Sequence, residues 1–440
     1  MTSWLLRRAE VRGVRRDVLV RGGRVREPDD RPVDEVVDCG GGALLPGLVD
    51  HHLHLHALAA ARRSVRCPAD PTALAAALRD APTDSHGLVR GVGYPGDDLD
   101  AALLDRLHPD RPVRIQHRSG ALWVLNTRAL GVIGQADHPG VERRADGTPT
   151  GRVFRADDWL RERLPPAEPL DLGSLGQELA RLGLTALTDA TPDLEPAAAA
   201  ALTAVPQRLT LLGVPLGARP PGGATAGPYK IVLADSDLPA LDALVGRIRA
   251  AHAAGRAVAV HSVTRESLVL LLVALREAGI RPGDRVEHAA LVPADLVEDL
   301  RELAVVTQPG FLADRGDLFR REVPAAEHPD LYRCRSLVDA RVPVALSSDA
   351  PYGPVDPWAV IAAATTRRTP DGAALGPAET LTAGQALDRY LAADPGGPPR
   401  RISPDTPADL VLLHEPLAVA LRHPTADGVR AVWIDGRRLR

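Results

Sequence analysis

The sequence predicts an α/β protein whose centre is a parallel barrel of eight strands. Between residues 44 and 349, eight short apolar segments alternate with amphipathic segments of helical period. This alternation is typical of a parallel sheet covered by helices. The length of 440 residues suits one such barrel with additional segments, since these barrels take roughly 250 residues. We therefore expect a (β/α)8 TIM barrel with accessory structures.

Most of the predicted strands are runs of Val, Ile, Leu or Ala bounded by Gly, Pro or polar residues. The expected strands are 44–54, 184–189, 208–214, 229–234, 257–262, 284–288, 304–308 and 343–349. Amphipathic stretches between them predict helices, among them 238–254, 264–279 and 293–303.

Both ends of the chain are predicted to share a small β-sandwich domain. Residues 15–45 contain several short β segments, and residues 409–413 and 428–439 contain two more. The predicted domains are a composite β domain of residues 1–44 and 405–440 and a barrel of residues 45–404. The barrel carries an insertion at about residues 60–170, after its first strand, because this stretch is rich in Pro, Gly and Asp and breaks the alternation.

Composition excludes several classes of partner. The formal net charge is −4 and no basic face stands out, so a nucleic-acid partner is not expected. The chain has three cysteines and no CxxC pair, which argues against a disulfide framework and favours the cytoplasm. It has no apolar run long enough for a signal peptide or a membrane span. We expect a small-molecule substrate and, since dimers are common among soluble enzymes, a homodimer.

The first candidate ligands end the first barrel strand. Side chains alternate along a strand, so His52 and His54 point the same way, His56 shares their parity and His51 points oppositely. Two imidazoles on one strand end can hold one metal ion. A solvated His-rich turn is the alternative, but an apolar strand leads directly into these histidines.

Lys230 is the single lysine among 53 basic residues, and it lies on the predicted fourth strand. A buried lysine can lose its proton and react as an amine, which arginine cannot do. Its neutral amine could add CO2 and become a carbamate that bridges two metal ions. The alternatives are chance or an ordinary buried lysine paired with an acid such as Asp235.

Three further residues end predicted strands: His261, His288 and Asp349. The carboxyl ends of the strands form the catalytic face of such barrels. A carboxylate there could bind metal and accept a proton from water, although Asp349 alone could simply cap the following turn. Four imidazoles, a carbamate and a carboxylate would suit two Zn²⁺-like ions that share a hydroxide. One ion is the alternative.

The stretch PGLVDHHLH, residues 46–54, resembles the PGxxDxHxH signature of the amidohydrolase superfamily. The stretches LWVLNTRAL, ADGTPTG, YKIVLAD, RVEHA and SSDAPYGPVDPW resemble its YtcJ-like, amidohydrolase 3 branch. The resemblance covers about residue 15 to the end. It implies a barrel with a composite β domain and hydrolysis of a carbon–nitrogen bond.

The resemblance also implies roles for individual residues. His52 and His54 would hold the more buried metal, and His261 and His288 the second. Lys230 would be the carboxylated bridge, and Asp349 would be a ligand and the general base. Two positions depart from the branch: Ala121 follows Gly120 where many members have His, and Arg155 stands where Glu is frequent. Four further side chains are candidates for substrate contact: His117, Trp123, Asn126 and Tyr352.

The function expected is hydrolysis of an amide, N-acyl, N-formyl or cyclic amide (non-peptide) bond in a small molecule by a metal-bound hydroxide. One or two divalent ions are required, with zinc favoured. The alternative enzyme is a mononuclear deaminase or ring-opening hydrolase. Deaminases of the superfamily tend to carry Glu three residues after the fifth-strand His, whereas Thr264 stands there. A catalytically dead scaffold is disfavoured because all six ligand positions hold competent residues.

Overall fold

A computed structural model describes residues 2–165 and 168–440 of the chain. The chain divides into two compact units, one formed by Met1–Leu55 with Leu172–Arg440 and the other by His56–Asp171. The second unit covers nearly the same residues as the insertion expected from the sequence.

Numbered in chain order, the strands are β1 Trp4–Val11, β2 Val14–Arg21, β3 Arg24–Arg26, β4 Glu35–Asp38, β5 Leu44–Pro46, β6 Leu48–Leu53, β7 Val65–Arg66, β8 Val89–Tyr94, β9 Val113–His117, β10 Leu122–Leu125, β11 Val141–Arg143, β12 Pro149–Phe154, β13 Leu184–Asp189, β14 Arg208–Leu211, β15 Ala224–Ala226, β16 Tyr229–Val232, β17 Val258–Ser262, β18 Arg285–His288, β19 Ala304–Thr307, β20 Val344–Leu346, β21 Leu410–Leu413, β22 Val429–Ile434 and β23 Arg437–Arg438.

The α-helices are α1 Leu55–Arg62, α2 Pro71–Asp80, α3 Ala101–Leu107, α4 Thr127–Ile133, α5 Asp157–Arg163, α6 Leu172–Arg181, α7 Pro196–Leu202, α8 Leu241–Ala253, α9 Arg265–Ala278, α10 Gly310–Glu322, α11 Arg335–Asp339, α12 Pro357–Thr366, α13 Ala383–Leu391 and α14 Leu417–Ala420. Short 3-10 helices occur at Ala294–Leu296, Glu298–Leu300, Ala325–Asp330, Pro377–Glu379 and Ala426–Gly428.

All eight predicted barrel strands are present, and they pair in parallel. One sheet has the order β15-β14-β13-β6, and a second has the order β16-β17-β18-β19-β20. Every strand-to-strand pairing in these two sheets is parallel. Residues of β6, β18 and β20 are buried along their whole length, as expected for parallel strands covered on both faces. The predicted α/β class is therefore confirmed.

The first predicted strand, 44–54, is wrong as a single element, because the chain forms two strands that separate at Gly47. A Cβ atom at Gly47 would lie 2.0 Å from Oγ1 of Thr185, so only glycine allows the chain to pass β13 this closely. On the amino side of Gly47, β5 pairs antiparallel with β21. On the carboxyl side, β6 pairs with β13. One continuous apolar run therefore serves two sheets.

The helix expected at 293–303 is also wrong, whereas α8 and α9 lie where helices were expected. The segment after β18 forms two 3-10 turns instead. Their backbone bonds run from residue i+3 to residue i, as in Leu296 N to Pro293 O at 3.0 Å and Arg301 N to Glu298 O at 3.3 Å. These tighter bonds are typical of short connectors. An amphipathic sequence does not by itself distinguish an α-helix from a pair of 3-10 turns.

The two ends of the chain build two four-stranded sheets with orders β3-β2-β1-β4 and β23-β22-β21-β5. The sheets share one buried core, to which the first sheet contributes Leu6 and Val20 and the second contributes Leu412 and Trp433. The Trp4 and Trp433 rings meet edge to face with centroids 6.0 Å apart. Strands near residue 5 and near residue 433 therefore depend on each other for burial.

The His56–Asp171 unit contains a six-stranded sheet of order β11-β12-β10-β9-β8-β7. Two apolar clusters pack within this unit, one around Leu78, Val113 and Ile115 and the other around Leu125 and Val153. The unit therefore has a core of its own, which is the property of an independent structural unit.

α9 starts immediately beyond the carboxyl end of β17, at a well-formed N-terminal cap. The Thr264 hydroxyl accepts a hydrogen bond from the Ser267 backbone N–H at 3.2 Å, and the Ser267 hydroxyl accepts one from Thr264 N–H at 3.1 Å. This reciprocal pair is a capping box. It fixes the chain three residues after His261, and so helps to hold that strand end in place.

The three cysteines lie within the described ranges, are buried and form no disulfide. Burial raises the pKa of the Cys39, Cys67 and Cys334 thiols to about 11, 12 and 11. Since the thiolate is the reactive form, we expect the native protein at pH 8 to react with a thiol reagent at none of its cysteines, and the unfolded protein to react at all three. Rapid labelling of a native thiol would contradict the burial of that residue.

None of the helices within the described residues has the length and apolar character needed to cross a bilayer.

Candidate metal centre

The candidate centre lies at the carboxyl ends of β6, β16, β17 and β18 and in the segment that follows β20. His52 is on β6, and His54 follows its last residue. Backbone hydrogen bonds from Asp349 N to His52 O at 2.8 Å and from His54 N to Ala350 O at 2.8 Å join the two segments. These bonds bring the side chains of His52, His54 and Asp349 to one place.

Ligand atoms of His52, His54 and Asp349 all lie within 4.8 Å of one another. The Oδ1 atom of Asp349 is 3.5 Å from His52 Nε2 and 3.3 Å from His54 Nε2. Ligands about 2.0–2.2 Å from one tetrahedral ion lie about 3.3–3.6 Å apart. The separations of these atoms therefore suit a shared cation.

Two of these atoms are buried and unpaired. Neither His52 Nε2 nor Asp349 Oδ1 has a hydrogen-bond partner within residues 2–165 and 168–440. Burying a polar atom without a partner costs about 1–3 kcal/mol, and two such atoms facing each other need an explanation. A divalent ion satisfies both atoms, so the residues present fit a metal.

The two remaining histidines adjoin this cluster. The His288 ring lies 4.7 Å from the His52 ring and 4.4 Å from the His261 ring, measured between centroids. His288 Nδ1 is 3.8 Å from Asp349 Oδ2. Burial lowers the pKa of His52 and of His288 well below the usual range, and neighbouring positive charges lower it further. Both imidazoles are therefore held neutral, as metal ligands must be.

Lys230 belongs to the same group of charges. It is 3% exposed, and burial lowers the pKa of its ammonium group although Glu287 and Asp349 act to raise it. The alternative partner Asp235 is exposed and accepts a hydrogen bond from the Thr264 hydroxyl at 2.6 Å. The charge of Lys230 in turn lowers the pKa of His52 and of His288.

Each of three histidines has a different partner at Nδ1. His52 Nδ1 is hydrogen-bonded to Glu287 Oε2, His54 Nδ1 lies 3.2 Å from the Thr191 hydroxyl, and His288 Nδ1 lies 3.0 Å from Gln308 Oε1. The Nδ1 partner of a ligating histidine sets its ring orientation. All three rings are therefore oriented by a polar neighbour.

Sequence reasoning missed the roles of Glu287 and Thr191, each of which contacts an imidazole. Glu287 is 0% exposed and directly precedes His288 in the strand. A glutamate is almost never fully buried unless it is paired, so a glutamate within a predicted parallel strand is the signal that could have identified it. Thr191 lies in the segment after β13 and carries no comparable signal.

Asp50 and His51 are buried beside the ligands but do not join them. Asp50 Oδ1 accepts hydrogen bonds from His52 N at 3.1 Å and Ser348 N at 3.3 Å, which ties β6 to the segment after β20. Burial raises the pKa of Asp50 to about 7 and lowers that of His51 to about 3. Asp50 therefore stabilises the backbone around the candidate ligands, and His51 is buried next to His52.

The backbone adopts left-handed conformations at two of the candidate ligands. The φ angle is 71° at His288 and 53° at Asp349. Such conformations cost a non-glycine residue about 1–3 kcal/mol and tend to occur at functional sites. The surrounding fold must therefore offset this cost in order to aim the two side chains.

Tyr352, one of the candidates for substrate contact, has its ring 5.6 Å from the His54 ring in an edge-to-face arrangement. The Arg315 guanidinium donates a hydrogen bond to the Tyr352 carbonyl and stacks on the Phe311 ring at 4.2 Å. This anchor holds the Tyr352 loop against α10.

The other three candidates for substrate contact belong to the His56–Asp171 unit. His117 Nδ1 lies 2.8 Å from the Ser119 hydroxyl, and the Trp123 indole donates to Asp157 Oδ1 at 2.8 Å. Asn126 is 0% exposed and caps α4 by accepting from Ala129 N at 2.9 Å. Asn126 thus has a structural role in its own unit, and substrate contact by these three side chains stays a prediction.

The two positions that depart from the branch, Ala121 and Arg155, meet where β10 begins and β12 ends in the same unit. Arg155 N donates a hydrogen bond to the Ala121 carbonyl at 2.8 Å, and Arg155 has a left-handed φ of 48°. The two positions are therefore neighbours, so their replacements act on one local region.

Comparison with known proteins places the chain in a family. A sequence model described as the amidohydrolase family matches residues 35–440. The chain belongs to the amidohydrolase family. This amidohydrolase is 26% identical over 459 residues to an N-substituted formamide deformylase from Arthrobacter pascens, with 85% of this chain and 84% of that protein covered. It is 25% identical over 443 residues to the putative amidohydrolase YtcJ of Bacillus subtilis strain 168, with 85% and 83% covered.

The fold of this amidohydrolase also resembles solved structures. An uncharacterized metal-dependent hydrolase from Pyrococcus horikoshii OT3 superimposes with a TM-score of 0.74 at 20% identity, over 96% of this chain and 100% of that one. The family model and the similarity to YtcJ confirm membership of the YtcJ-like branch. The family and its named relatives also confirm the hydrolase class that acts on carbon–nitrogen bonds.

Proposed function

We propose that this amidohydrolase hydrolyses a carbon–nitrogen bond in a small molecule and requires a divalent metal ion to do so. The observation that carries the proposal is the group of His52, His54 and Asp349, in which the facing atoms of His52 and Asp349 are buried and lack hydrogen-bond partners among the described residues. Proteins of one fold share a chemistry only when they also share the residues of the site. His52, His54 and Asp349 are present in this chain.

We further propose that the two parallel sheets are arcs of one closed (β/α)8 barrel, in which β15 and β16, separated by two residues and both bonded to the β14 segment, form one interrupted strand. At one seam, the backbone bonds between the ends of β6 and β20 support closure. At the other seam, Lys230 N donates to the Leu212 carbonyl at 3.2 Å, which links β16 to the residue after β14. A closed ring of this kind directs all its carboxyl ends to a single face.

The metal set proposed is two zinc ions, one held by His52, His54 and Asp349 and the other by His261 and His288, with Lys230 as a carboxylated bridge. Nitrogen and oxygen ligands of this mixture suit zinc. When bound, such ions supply an activated water and a Lewis acid for the substrate carbonyl oxygen. Burial of Lys230 supports carboxylation, because the neutral amine is the form that adds CO2.

Asp349 has two oxygens in different surroundings. Oδ1 faces the imidazoles of His52 and His54, whereas Oδ2 is 3.8 Å from His288 Nδ1. In the proposed reaction Asp349 takes a proton from the attacking water and delivers it to the departing nitrogen, so that an amide and water give a carboxylic acid and an amine. The backbone bonds that join Asp349 to His52 and Ala350 to His54 hold this carboxylate in place.

The substrate class proposed is an N-acyl or N-formyl compound rather than an aminated heterocycle. The similarity to a protein named N-substituted formamide deformylase supports it. Thr264, which caps α9, occupies the position of the expected deaminase glutamate, and its hydroxyl is engaged by Asp235 and Ser267. It has no carboxylate with which to shuttle a proton to a leaving ammonia.

A metal analysis combined with a substrate panel tests the function. We expect purified protein to contain about two zinc ions per chain in the two-ion site, and to release amine and carboxylic acid from N-substituted formamides or N-acyl amines. A chelator should abolish turnover and added Zn²⁺ should restore it. Ammonia release from aminated heterocycles would support the deaminase instead, and full metal content without turnover on any amide would contradict the proposal.

A further inference from the structure

We propose that Glu287 is a positioning residue that fixes the tautomer of His52 and thereby sets how tightly the site binds its first divalent ion. The inference rests on the proposed metal dependence. It concerns a side chain that the proposed reaction does not use and that touches no substrate.

The two oxygens of the Glu287 carboxylate have opposite kinds of neighbour. Oε1 accepts a hydrogen bond from Arg285 Nε at 2.5 Å, and Oε2 is hydrogen-bonded to His52 Nδ1. Glu287 is 0% exposed and Arg285 is 4% exposed. Arginine offers only hydrogen-bond donors and a carboxylate only acceptors, so this buried ion pair leaves Oε2 as an acceptor towards His52.

The state of His52 follows from these contacts. Since Glu287 cannot donate, His52 Nδ1 must carry the proton, and Nε2 is left with its lone pair. That bare nitrogen is the atom that faces Asp349 Oδ1 at 3.5 Å. His52 is therefore already in the tautomer that can bind a metal ion through Nε2, and no proton has to be moved before the ion arrives.

The carboxylate is itself locked in position. Arg285 Nη2 donates to the backbone carbonyl of His51 at 3.2 Å, so the guanidinium bridges β18 to the residue next to His52. A carboxylate partner also makes an imidazole a stronger metal ligand than a neutral partner does. The hydroxyl of Thr191 and the amide of Gln308 are the neutral partners of His54 and His288.

Glu287→Gln tests the proposal sharply. Arg285 can only donate, so it selects the amide oxygen of the new side chain and turns the amide NH2 towards His52 Nδ1. His52 is then forced to accept at Nδ1 and to carry its proton on Nε2, the atom that the metal needs. We expect the His52 tautomer to invert in the metal-free protein and the first Zn²⁺ to bind about 10–100-fold more weakly, the range typical for lost outer-shell partners.

Two measurements read the effect without turnover. Nitrogen-15 spectra of histidine-labelled, metal-free protein report the tautomer, with the His52 signal assigned from a His52→Gln variant. Titration with Zn²⁺ against a competing chelator reports the affinity. If the wild type binds no ion, the proposed function fails while the spectra still test Glu287. If wild type and Glu287→Gln bind Zn²⁺ equally and share one tautomer, this inference alone is overturned.

Glu379→Gln is the matched control. Glu379 is also a buried carboxylate paired with an arginine, since Oε1 accepts from Arg333 Nη1 at 2.7 Å, and it is 4% exposed. Its other partners are Ser336 and the Cys334 backbone. We expect Glu379→Gln to lower the melting temperature but to leave Zn²⁺ affinity and the His52 signal unchanged. An equal loss of affinity in this control would show a general effect of destabilisation and overturn the inference.

A second variant covers the case in which Glu287→Gln does not fold. Arg285→Met combined with Glu287→Gln removes the buried guanidinium together with its partner, and such paired replacement avoids an uncompensated buried charge. Without Arg285 to orient it, the amide can present either end to His52. We expect a mixture of both tautomers and an intermediate Zn²⁺ affinity, whereas wild-type affinity in this folded double variant would contradict the role of Glu287.

Discussion

Asp349→Asn is expected to lower kcat by about 1,000-fold or more, within the range of 10²–10⁴ for a lost general base augmented by a weakened metal site. Asparagine keeps the size and the backbone preference of aspartate, including its tolerance of the left-handed conformation found here at φ 53°. Asparagine lacks the negative charge of the carboxylate, so it can neither take the proton from water nor balance the charge of a cation. Steady-state kinetics on the best substrate of the panel, with metal content measured in parallel, gives the result.

Asp356→Asn is the control for that substitution. Asp356 lies in the same stretch and caps α12 by accepting a hydrogen bond from Trp358 N at 2.9 Å. Asparagine caps a helix about as well as aspartate, so activity should stay within about twofold, with little loss of stability. Full activity in Asp349→Asn, or an equal loss in Asp356→Asn, would remove Asp349 from the proposed chemistry.

Lys230→Arg is expected to have the second large effect, with metal content falling from two ions to at most one and activity falling by about 1,000-fold, as expected when a ligand that organises the reacting groups is lost. Arginine conserves the charge but cannot form the carbamate, because it does not lose its proton in proteins. Native mass spectrometry of the wild type should show the added mass of one CO2, and the variant should not.

A chemical rescue experiment separates the carbamate from mere bulk at this position. Lys230→Ala leaves a buried space beside Glu287 and Asp349, and a short carboxylic acid added to the buffer could supply the missing carboxylate there. We expect partial recovery of activity and of the second ion with acetate or propionate, and none with a neutral amide of the same size. Wild-type activity in unrescued Lys230→Ala would establish a one-ion site without Lys230.

The sequence predicted the parallel strands well because their signal is local. Apolar runs of four to eight residues between Gly and Pro identify buried strands without reference to the rest of the chain, and all eight are present. The break at Gly47 could not be predicted in this way, because it depends on the Thr185 side chain of a strand far along the chain. The 3-10 turns after β18 were not predicted for a related reason, because an amphipathic period alone does not set the backbone hydrogen-bond pattern.

In the candidate centre, the sequence could predict the residues that stand at strand ends. It could not predict the side chains that contact those residues. The position of Asp349 follows from its place after an apolar strand, and the structure brings it to His52 and His54. The contacts of Glu287 and Thr191 join segments that are far apart in sequence. Such pairs follow from how the strands are placed side by side, which a single sequence does not specify.

The shared core of the terminal sheets has a consequence for synthesis of the protein. The strands that hold Leu6 and Val20 are made more than 400 residues before Trp433, which packs in the same core. At about 5–20 residues per second, the delay is about 20–80 seconds. During that time the early strands expose apolar side chains and an unpaired edge. The interval between making β1 and making β22 is therefore the stage of biogenesis at which this amidohydrolase most needs protection from aggregation.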